Sequence, residues 1–287
     1  MVLAVGSTGI AIQKYDGNGC AFLIDDVVAI EEPLEIRLQY GSGSNRLTQN
    51  VAITMRTPGK DSELALGFLF TEGIIADYKD IASAEHAFIA CAENRENVVI
   101  VALEPHTTPS LGKADRNFYT TSSCGVCGKS SIGAIKTVST FNTTINNDSI
   151  FADVLCQLPS TLRRHQEIFD TTGGLHASAL FTLEGDLLAM REDVGRHNAL
   201  DKLIGFALQE NWLPIQNKVL LLSGRISFEL VQKAAMAGIG VVAAIGAPSS
   251  LAIQLAQEFN ITLVGFLRNQ HFNIYNAAHR IIHRQPL

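Results

Sequence analysis

The sequence predicts an α/β protein with a layered α/β domain in its C-terminal half and a smaller α+β domain before it. The C-terminal half alternates short apolar strands with helices, whereas the N-terminal half has the pattern of a hairpin, one helix and a further strand. The 287 residues are 47% hydrophobic and 17% charged, which is enough apolar material for a packed core. At about 100 to 200 residues per domain, this length allows two domains. We place them at residues 1–117 and 118–287.

The N-terminal domain is expected to contain a β-hairpin and a helix. Apolar and polar residues alternate over Glu35–Tyr40 and, more loosely, over Asn50–Met55, with Gly and Ser turn residues at 41–45 between them. Asp61 is the predicted N-cap of the helix, which should end near Gly73.

A buried strand and two polar segments follow. The apolar run Asn97–Leu103 predicts the strand. Residues 106–117 follow Pro105, contain Pro109 and mixed charges, and are the best candidate linker, and residues 140–149 are predicted to form an exposed loop.

The C-terminal half repeats a strand–turn–helix unit. The predicted strands are Val219–Leu222, Gly240–Ile245 and Ile261–Val264, and the helices between them are capped by Ser227 and by Ser249 or Ser250. Connections long enough to carry a helix predict parallel strands with right-handed crossovers.

Three loops should therefore meet at one edge of the C-terminal sheet, namely residues 223–225, 246–250 and 265–268. Helix N-termini at such an edge attract anions, and Arg225 and Arg268 could pair with a phosphate. The alternative is that these Gly and Ser residues only make turns and caps.

Composition and charge argue against several classes of protein. The 22 Lys and Arg against 28 Asp and Glu give a net charge of −6, which is the wrong sign for a nucleic-acid binder. No apolar run approaches the roughly 18 residues of a membrane span. No basic residue precedes Lys14, so a secretory signal is not predicted and we expect a cytoplasmic protein. The five cysteines are an odd number and few for a chain of this length, which disfavours a disulfide framework.

A Cys-x-x-Cys pair, Cys124 and Cys127, is the densest concentration of chemistry in the sequence. Nearby Lys129 favours the thiolate, which is the nucleophilic form. Three chemistries fit, namely a redox dithiol, a zinc site and a sulfur carrier that holds a persulfide. The zinc alternative needs further ligands, which His176 or His197 could supply. The remaining cysteines, Cys20, Cys91 and Cys156, are better explained as structural thiols.

Two histidines are candidates for a functional role. His176 follows a Gly pair and precedes an apolar run, and His197 stands four residues before Asp201, on one face of a helix that starts near Gly195. Such a carboxylate could orient the imidazole for binding or proton transfer. Each histidine could equally be a hydrogen-bonded packing residue.

Together these motifs resemble the formate dehydrogenase accessory sulfurtransferase family, FdhD, from about residue 20 to the end of the chain. The segments that carry the resemblance are Arg56–Gly59, Ala65–Ile75, Ser123–Gly128, Thr172–His176, Glu192–Lys202 and Ser223–Arg225.

The resemblance implies a sulfur carrier that takes persulfide sulfur from a cysteine desulfurase on Cys124, with Cys127 as the second thiol. The sulfur then passes to the molybdenum cofactor, bis-molybdopterin guanine dinucleotide, which is bound as a substrate before it enters formate dehydrogenase. A cytidine deaminase fold without its zinc motif, a homodimer and no resident metal are also implied. The residues expected to bind the cofactor are Phe266, Leu267, Arg268, Asn269, Gln270 and His271, joined at the strand edge by Gly224, Arg225 and Ser249. The alternative function is a non-catalytic chaperone that binds and carries the cofactor.

Overall fold

A computed structural model of the chain describes residues 4–17, 19, 21–87, 97–111 and 149–284. Cys124 and Cys127 lie outside these ranges, as do residues 112–117 of the predicted linker, residues 140–148 of the predicted loop at 140–149, and the proposed domain boundary. The predictions for these segments therefore stay predictions.

The N-terminal part is built on a four-stranded sheet with one helix against it. Its elements are β1 (Ser7–Tyr15), β2 (Ala21–Ala29), β3 (Glu32–Tyr40), β4 (Leu47–Arg56), α1 (Asp61–Thr71), β5 (Ile81–His86) and β6 (Val98–Leu103). The order in the sheet is β4-β3-β6-β5, and β1 and β2 form a separate two-stranded ribbon. The antiparallel pairing of β3 with β4 confirms the predicted hairpin, and β6 confirms the predicted strand.

The start of α1 differs from the prediction that Asp61 caps the helix. Asp61 is the first helical residue, and Lys60 before it has a left-handed backbone with a φ of 59°. The carboxylate of Asp61 is instead paired with Arg56, whose Nη2 lies 2.9 Å from Oδ2. Arg56 is 1% exposed, and an unpaired buried guanidinium costs more free energy than an uncapped helix end, so the carboxylate pairs with Arg56.

The C-terminal part is a six-stranded mixed sheet with helices on both faces. Its elements are β7 (Ile150–Phe151), α2 (Ala152–His165), α3 (Glu167–Thr172), β8 (His176–Thr182), β9 (Leu187–Asp193), α4 (Arg196–Gln209), β10 (Lys218–Leu222), α5 (Phe228–Met236), β11 (Val241–Ala244), α6 (Ser250–Glu258), β12 (Thr262–Arg268), β13 (His271–Asn276) and β14 (Ile281–Ile282). The sheet order is β13-β12-β11-β10-β8-β9, and β14 pairs with β7 in a separate two-stranded sheet. The three strands β10, β11 and β12 are parallel, which confirms the prediction.

The last parallel strand is longer than predicted. We expected a strand over Ile261–Val264 followed by a loop at 265–268, but β12 continues to Arg268 through an irregularity between Gly265 and Arg268 and then pairs with β13. The irregularity hides the alternation that would have marked a strand, because it shifts which residues face the core. Leu267 beyond it is completely buried.

One hydrophobic core joins the two halves of the chain. It includes Leu34, Ile36, Val99 and Val101 from the N-terminal sheet together with Leu200, Leu220 and Val242 from the C-terminal half. A second core lies on the other face of the six-stranded sheet, beneath α2.

The helices α1 and α4 approach each other closely at two glycines. A Cβ added to Gly67 would overlap the carbonyl oxygen of Asp201, and one added to Gly205 would overlap the carbonyl oxygen of Glu63. Because these contacts are with backbone atoms, only glycine allows the two helices to pack at this distance.

Candidate functional site

The loops after β10, β11 and β12 meet at one edge of the sheet, as the sequence predicts. The backbone N–H of Gly246 donates to the carbonyl oxygen of Gly224 at 3.1 Å, and that of Phe266 donates to the carbonyl oxygen of Gly246 at 3.0 Å. A Cβ on Gly246 would lie 2.7 Å from the Gly224 oxygen and 2.9 Å from the Arg225 Cα. Glycine at 246 therefore lets the loops join. We call residues 223–227, 246–249 and 265–271 the strand-end site.

The hairpin between β12 and β13 holds an aromatic side chain at this site in an unusual backbone conformation. Phe266 has a φ of 54° and is 37% exposed, and the Arg268 guanidinium carbon lies 6.0 Å from the centre of its ring. A left-handed conformation is costly for a bulky residue, and such strain is concentrated at functional sites. Asn269 and Gln270 also have positive φ, at 51° and 59°, as a two-residue hairpin turn requires.

An open depression of about 310 Å³ lies along this hairpin. It is lined by Phe266, Arg268, Asn269, His271, Phe272 and Asn273. Four of the six residues in the predicted binding segment thus line it, and an aromatic ring, a guanidinium and two amides are groups that suit a purine nucleotide.

Two residues of the predicted segment are placed elsewhere. The Leu267 side chain is completely buried in the core beneath α2, so its contribution to this site is structural. Gln270 is exposed in the turn and does not line the depression. Sequence reasoning missed Phe272 and Asn273, because the hairpin that brings them next to β12 was not predicted.

The remaining predicted binding residues lie on the first two loops of the strand-end site. Gly224 leaves room for His176, since an added Cβ would be 3.1 Å from the imidazole Nδ1. Arg225 is exposed. The Ser249 hydroxyl accepts a hydrogen bond from the Ala252 N–H at 3.2 Å and caps α6, as predicted. Its engagement as a cap gives Ser249 a structural role at this edge.

His197 does not have the partner that its spacing predicted. Its Nε2 is hydrogen-bonded to Ser227 Oγ at 3.1 Å and lies 3.8 Å from a carboxylate oxygen of Glu229. Asp201 instead accepts hydrogen bonds from Lys233 Nζ at 2.9 Å and from the Thr71 hydroxyl at 2.9 Å. A buried carboxylate needs a cation, and the ammonium on α5 supplies it.

Ser227 likewise differs from the prediction in one respect. It stands immediately before α5, but its side chain makes no capping hydrogen bond to the helix backbone. Its hydroxyl is bonded to the His197 imidazole instead. The start of α5 is thereby tied to the start of α4 at the strand-end site.

A buried carboxylate at the end of β9 fixes the start of α4. Asp193 Oδ2 lies 2.8 Å from Lys202 Nζ, and Oδ1 accepts hydrogen bonds from the Gly195 N–H and from Asn198 Nδ2. The Thr57 N–H donates to Asp193 as well, while Lys202 donates to the Thr57 carbonyl oxygen at 2.8 Å. Burial raises the pKa of Asp193, and Lys202 opposes that effect. The network holds the first turn of α4 beside the strand ends.

His176 begins β8 beside these groups and faces two guanidinium groups. Burial lowers the pKa of His176, and the positive charges of Arg196 and Arg225 lower it further, whereas Asp193 acts in the opposite direction. The imidazole is therefore neutral at neutral pH. It offers one nitrogen donor and one acceptor.

In the part of the chain that the structure describes, neither a metal-binding cluster nor a membrane-spanning helix is found. No group of three or more His, Cys, Asp or Glu side chains there is arranged to hold a metal ion. The two thiols of the zinc alternative lie outside that part. Among the described helices, none combines the length and the apolarity needed to cross a membrane.

The fold is that of an α/β protein in which loops at the ends of parallel strands meet at one edge, the usual place for a ligand in this class. The model of the FdhD/NarQ family matches residues 29–282. The chain belongs to this family, as its motifs predicted.

Relatives in bacteria and archaea match along nearly the whole chain. A protein of Mycolicibacterium paratuberculosis named sulfur carrier protein FdhD is 50% identical over 267 residues, which are 92% of this chain and 94% of that protein. A protein of the same name from Sulfurisphaera tokodaii is 44% identical over 258 residues, or 90% of this chain and 92% of the relative.

A solved structure has the same fold. It is a protein of Desulfotalea psychrophila described as a formate dehydrogenase accessory protein, with a TM-score of 0.68 and 22% identity, and the match covers 96% of this chain and 99% of that one. The mixed α/β architecture is therefore that of the family. The implied likeness to cytidine deaminases stays a prediction.

Proposed function

We propose that this protein is a sulfur carrier that accepts persulfide sulfur on Cys124 and delivers it to the molybdenum cofactor for formate dehydrogenase. Membership of the FdhD/NarQ family carries the proposal, because relatives that are 50% and 44% identical over 92% and 90% of the chain are named sulfur carrier proteins. The Cys-x-x-Cys pair supplies the chemistry that such a role requires. The family resemblance adds a cytoplasmic homodimer to the proposal.

In the first step, the Cys124 thiolate attacks the outer sulfur of the persulfide on a cysteine desulfurase. The sulfur–sulfur bond of the donor breaks, a new one forms on Cys124 Sγ, and the donor cysteine leaves as a thiolate. No electrons are gained or lost overall, because one persulfide replaces another.

In the second step, the outer sulfur leaves Cys124 for the cofactor. If Cys127 attacks Cys124 Sγ, a disulfide forms and the outer sulfur departs as sulfide, so the two thiols supply the two electrons. The sulfide replaces an oxygen ligand of the metal, which leaves as water, and a thiol reductant such as a thioredoxin-type protein then restores the two thiols. The division of labour between the two cysteines is part of the proposal. A persulfide ionises more readily than a thiol, so the protein has mainly to position the sulfur and to keep other reductants away.

The cofactor is proposed to bind as a substrate at the strand-end site. The exposed ring of Phe266 offers a surface for stacking on a guanine, and Arg268 beside it offers a cation for a phosphate or a base edge. The amides of Asn269 and Asn273 provide both donors and acceptors in the same depression. Since the hairpin is hydrogen-bonded to the loop at Gly246, these groups are held against the strand ends before the ligand arrives.

Loss of the thiol should separate transfer from binding. We expect Cys124→Ala to abolish the transfer of radiolabelled sulfur from a cysteine desulfurase, while GDP binding, measured by calorimetry, stays within twofold of wild type. Cys156→Ala is the matched control, because Cys156 is a half-buried thiol on α2 and should affect neither property. Equal loss of transfer and of GDP binding in Cys124→Ala would show that the residue is structural.

The experiment also tests the alternative of a cofactor-binding chaperone. A chaperone would bind GDP in wild type and in Cys124→Ala, and the wild-type protein would take up no sulfur on Cys124. Retained sulfur transfer in Cys124→Ala would overturn the assignment of this thiol.

A further inference from the structure

The first turn of α4 carries positive charge where a helix normally carries negative charge. Arg196 is its first residue, the first turn has no acidic residue, and Gly195 before it provides no capping side chain. The N-terminus of a helix bears a partial positive charge, so cations there are unfavourable. Asp193 is the adjacent carboxylate, and Lys202 already neutralises it at 2.8 Å.

Arg196 also has a hydrogen-bonding group without a partner. Its Nε is buried and bonds to no atom of the described residues. A buried donor left unpaired costs about 1–3 kcal/mol, and more on a charged group. Such an atom at a functional edge indicates a missing acceptor.

A second unpaired polar atom lies on the same side of the sheet. Ser178 is 1% exposed, and its Oγ has no partner in the part of the chain that is described. Ser178 follows His176 by two residues on β8, so both side chains lie on the face of the strand against which α4 packs.

Arg225 completes the set from the loop after β10. It is exposed, and its guanidinium makes no ion pair with a described carboxylate. The charges of Arg225 and Arg196 both act on the His176 imidazole between β8 and β10. Two guanidinium groups from different elements thus act on one imidazole, and the carboxylate that also acts on it, Asp193, is already paired with Lys202.

We propose that Arg196, Arg225 and His176 form a subsite for a phosphate or diphosphate group at the N-terminus of α4. A phosphate dianion would give Arg196 Nε its acceptor and would pair with both guanidinium groups beside the positive end of the helix dipole. Arg and phosphate have matching geometry for paired hydrogen bonds.

This inference rests on the proposed function, because it assigns the phosphate part of the nucleotide that the hairpin at Phe266 is proposed to hold. The first loop, which carries Arg225, is hydrogen-bonded to the second through Gly224 and Gly246, and the second to the hairpin through Phe266. A nucleotide could therefore contact the two guanidinium groups with its phosphates and the aromatic ring with its base.

Calorimetry with three probes, namely pyrophosphate, GDP and guanosine, tests the subsite on the full chain. We expect wild type to bind GDP at least about tenfold more tightly than guanosine, since each charge-assisted hydrogen bond is worth about a factor of ten or more. Arg196→Gln and Arg225→Gln should each weaken pyrophosphate and GDP at least about tenfold and leave guanosine unchanged. Arg164→Gln, at an exposed arginine on α2, is the matched control and should change none of them.

A second readout does not depend on affinity. The pKa of His176, followed by NMR, should rise when pyrophosphate binds to wild type, because the anion offsets the charges of Arg196 and Arg225, while Asp193 already acts to raise it. The rise should be smaller in Arg225→Gln. Because the Arg225 side chain is exposed, this substitution should leave the fold intact.

The outcomes separate this inference from the proposed function. Unchanged pyrophosphate and GDP affinity in Arg196→Gln and Arg225→Gln would overturn the subsite, while guanosine binding that depends on Phe266 would still support the hairpin site. Pyrophosphate binding that needs both arginines, without any binding of guanosine or preference for GDP, would support the subsite and contradict the proposed nucleotide site.

Discussion

The contact between α1 and α4 gives the sharpest prediction about how this fold is held together. In the variant Gly205→Ala, the new Cβ would overlap the Glu63 carbonyl oxygen and lie 2.7 Å from the Glu63 carbonyl carbon and 2.9 Å from the Gly67 nitrogen. Because all three atoms belong to the backbone, no side chain can rotate away and the helices must separate.

The magnitude follows from two opposing effects. Helix propensity alone would make Ala about 1 kcal/mol more stable than Gly in a helix interior. Overpacking costs about 1–3 kcal/mol, and a clash with backbone belongs at the upper end or beyond. An upper-end cost of about 3 kcal/mol less the gain of about 1 kcal/mol leaves a net loss of about 2 kcal/mol, which at about 2.1 cal/mol/K per residue lowers the Tm by about 3 °C for a chain of 287 residues.

Urea and thermal unfolding followed by circular dichroism measure the change. Gly67→Ala, on the facing helix, should lose a similar amount. Gly9→Ala is the control, because the nearest atom to its added Cβ is 4.0 Å away, and it should stay within about 0.5 kcal/mol of wild type. A Gly205→Ala protein as stable as wild type, or more stable, would refute the close approach of the two helices.

Three further predictions concern buried charge, backbone strain and pH. Lys233→Met should lower the free energy of unfolding in urea by about 3–5 kcal/mol, because it leaves the buried carboxylate of Asp201 without its cation. Lys79→Met, at an exposed site, is the control and should lower it by less than about 0.5 kcal/mol. A loss under about 1 kcal/mol for Lys233→Met would contradict the buried pair. Phe266→Gly should bind guanosine at least about tenfold more weakly. Its free energy of unfolding should equal that of wild type or exceed it by up to about 1 kcal/mol, because glycine adopts the left-handed conformation without strain. A loss of stability above about 2 kcal/mol would show that the ring serves packing. The pKa of His176 is lower in the folded protein than in the unfolded chain, so the folded protein binds fewer protons than the unfolded chain as the pH falls below about 6.5. The free energy of unfolding should therefore fall in that pH range, and His176→Gln should flatten this pH dependence. An identical pH profile in wild type and variant would contradict the lowered pKa.

The regular part of the C-terminal sheet could be predicted because its strands are continuous apolar runs. Each of β10 and β11 is almost completely buried, and a Gly or Ser turn and a helix follow each one. Buried strands that alternate with helices are typical of parallel sheets, so the parallel pairing of these strands and the meeting of their loops could be predicted.

The hairpin and the polar contacts could not be predicted in the same way. The irregularity at Gly265 to Arg268 breaks the period of two that marks a strand, so β13 and the depression beside it were missed. The partner of a buried charge depends on tertiary packing, which is why spacing suggested His197 for Asp201 although Lys233, 32 residues away in sequence, pairs with it. The left-handed backbone of Phe266 has no signature in the sequence, because no Gly or Asn marks it.

The proposed function depends on a labile persulfide sulfur on Cys124, and peptide mass spectrometry detects that sulfur directly. The purified protein is incubated with a cysteine desulfurase and cysteine, alkylated and digested. We expect an added mass of one sulfur atom on the peptide that contains Cys124; this mass should be lost on treatment with a thiol reductant and should be absent from the corresponding peptide of Cys124→Ala. An unmodified Cys124 under conditions in which the desulfurase is active would contradict the account.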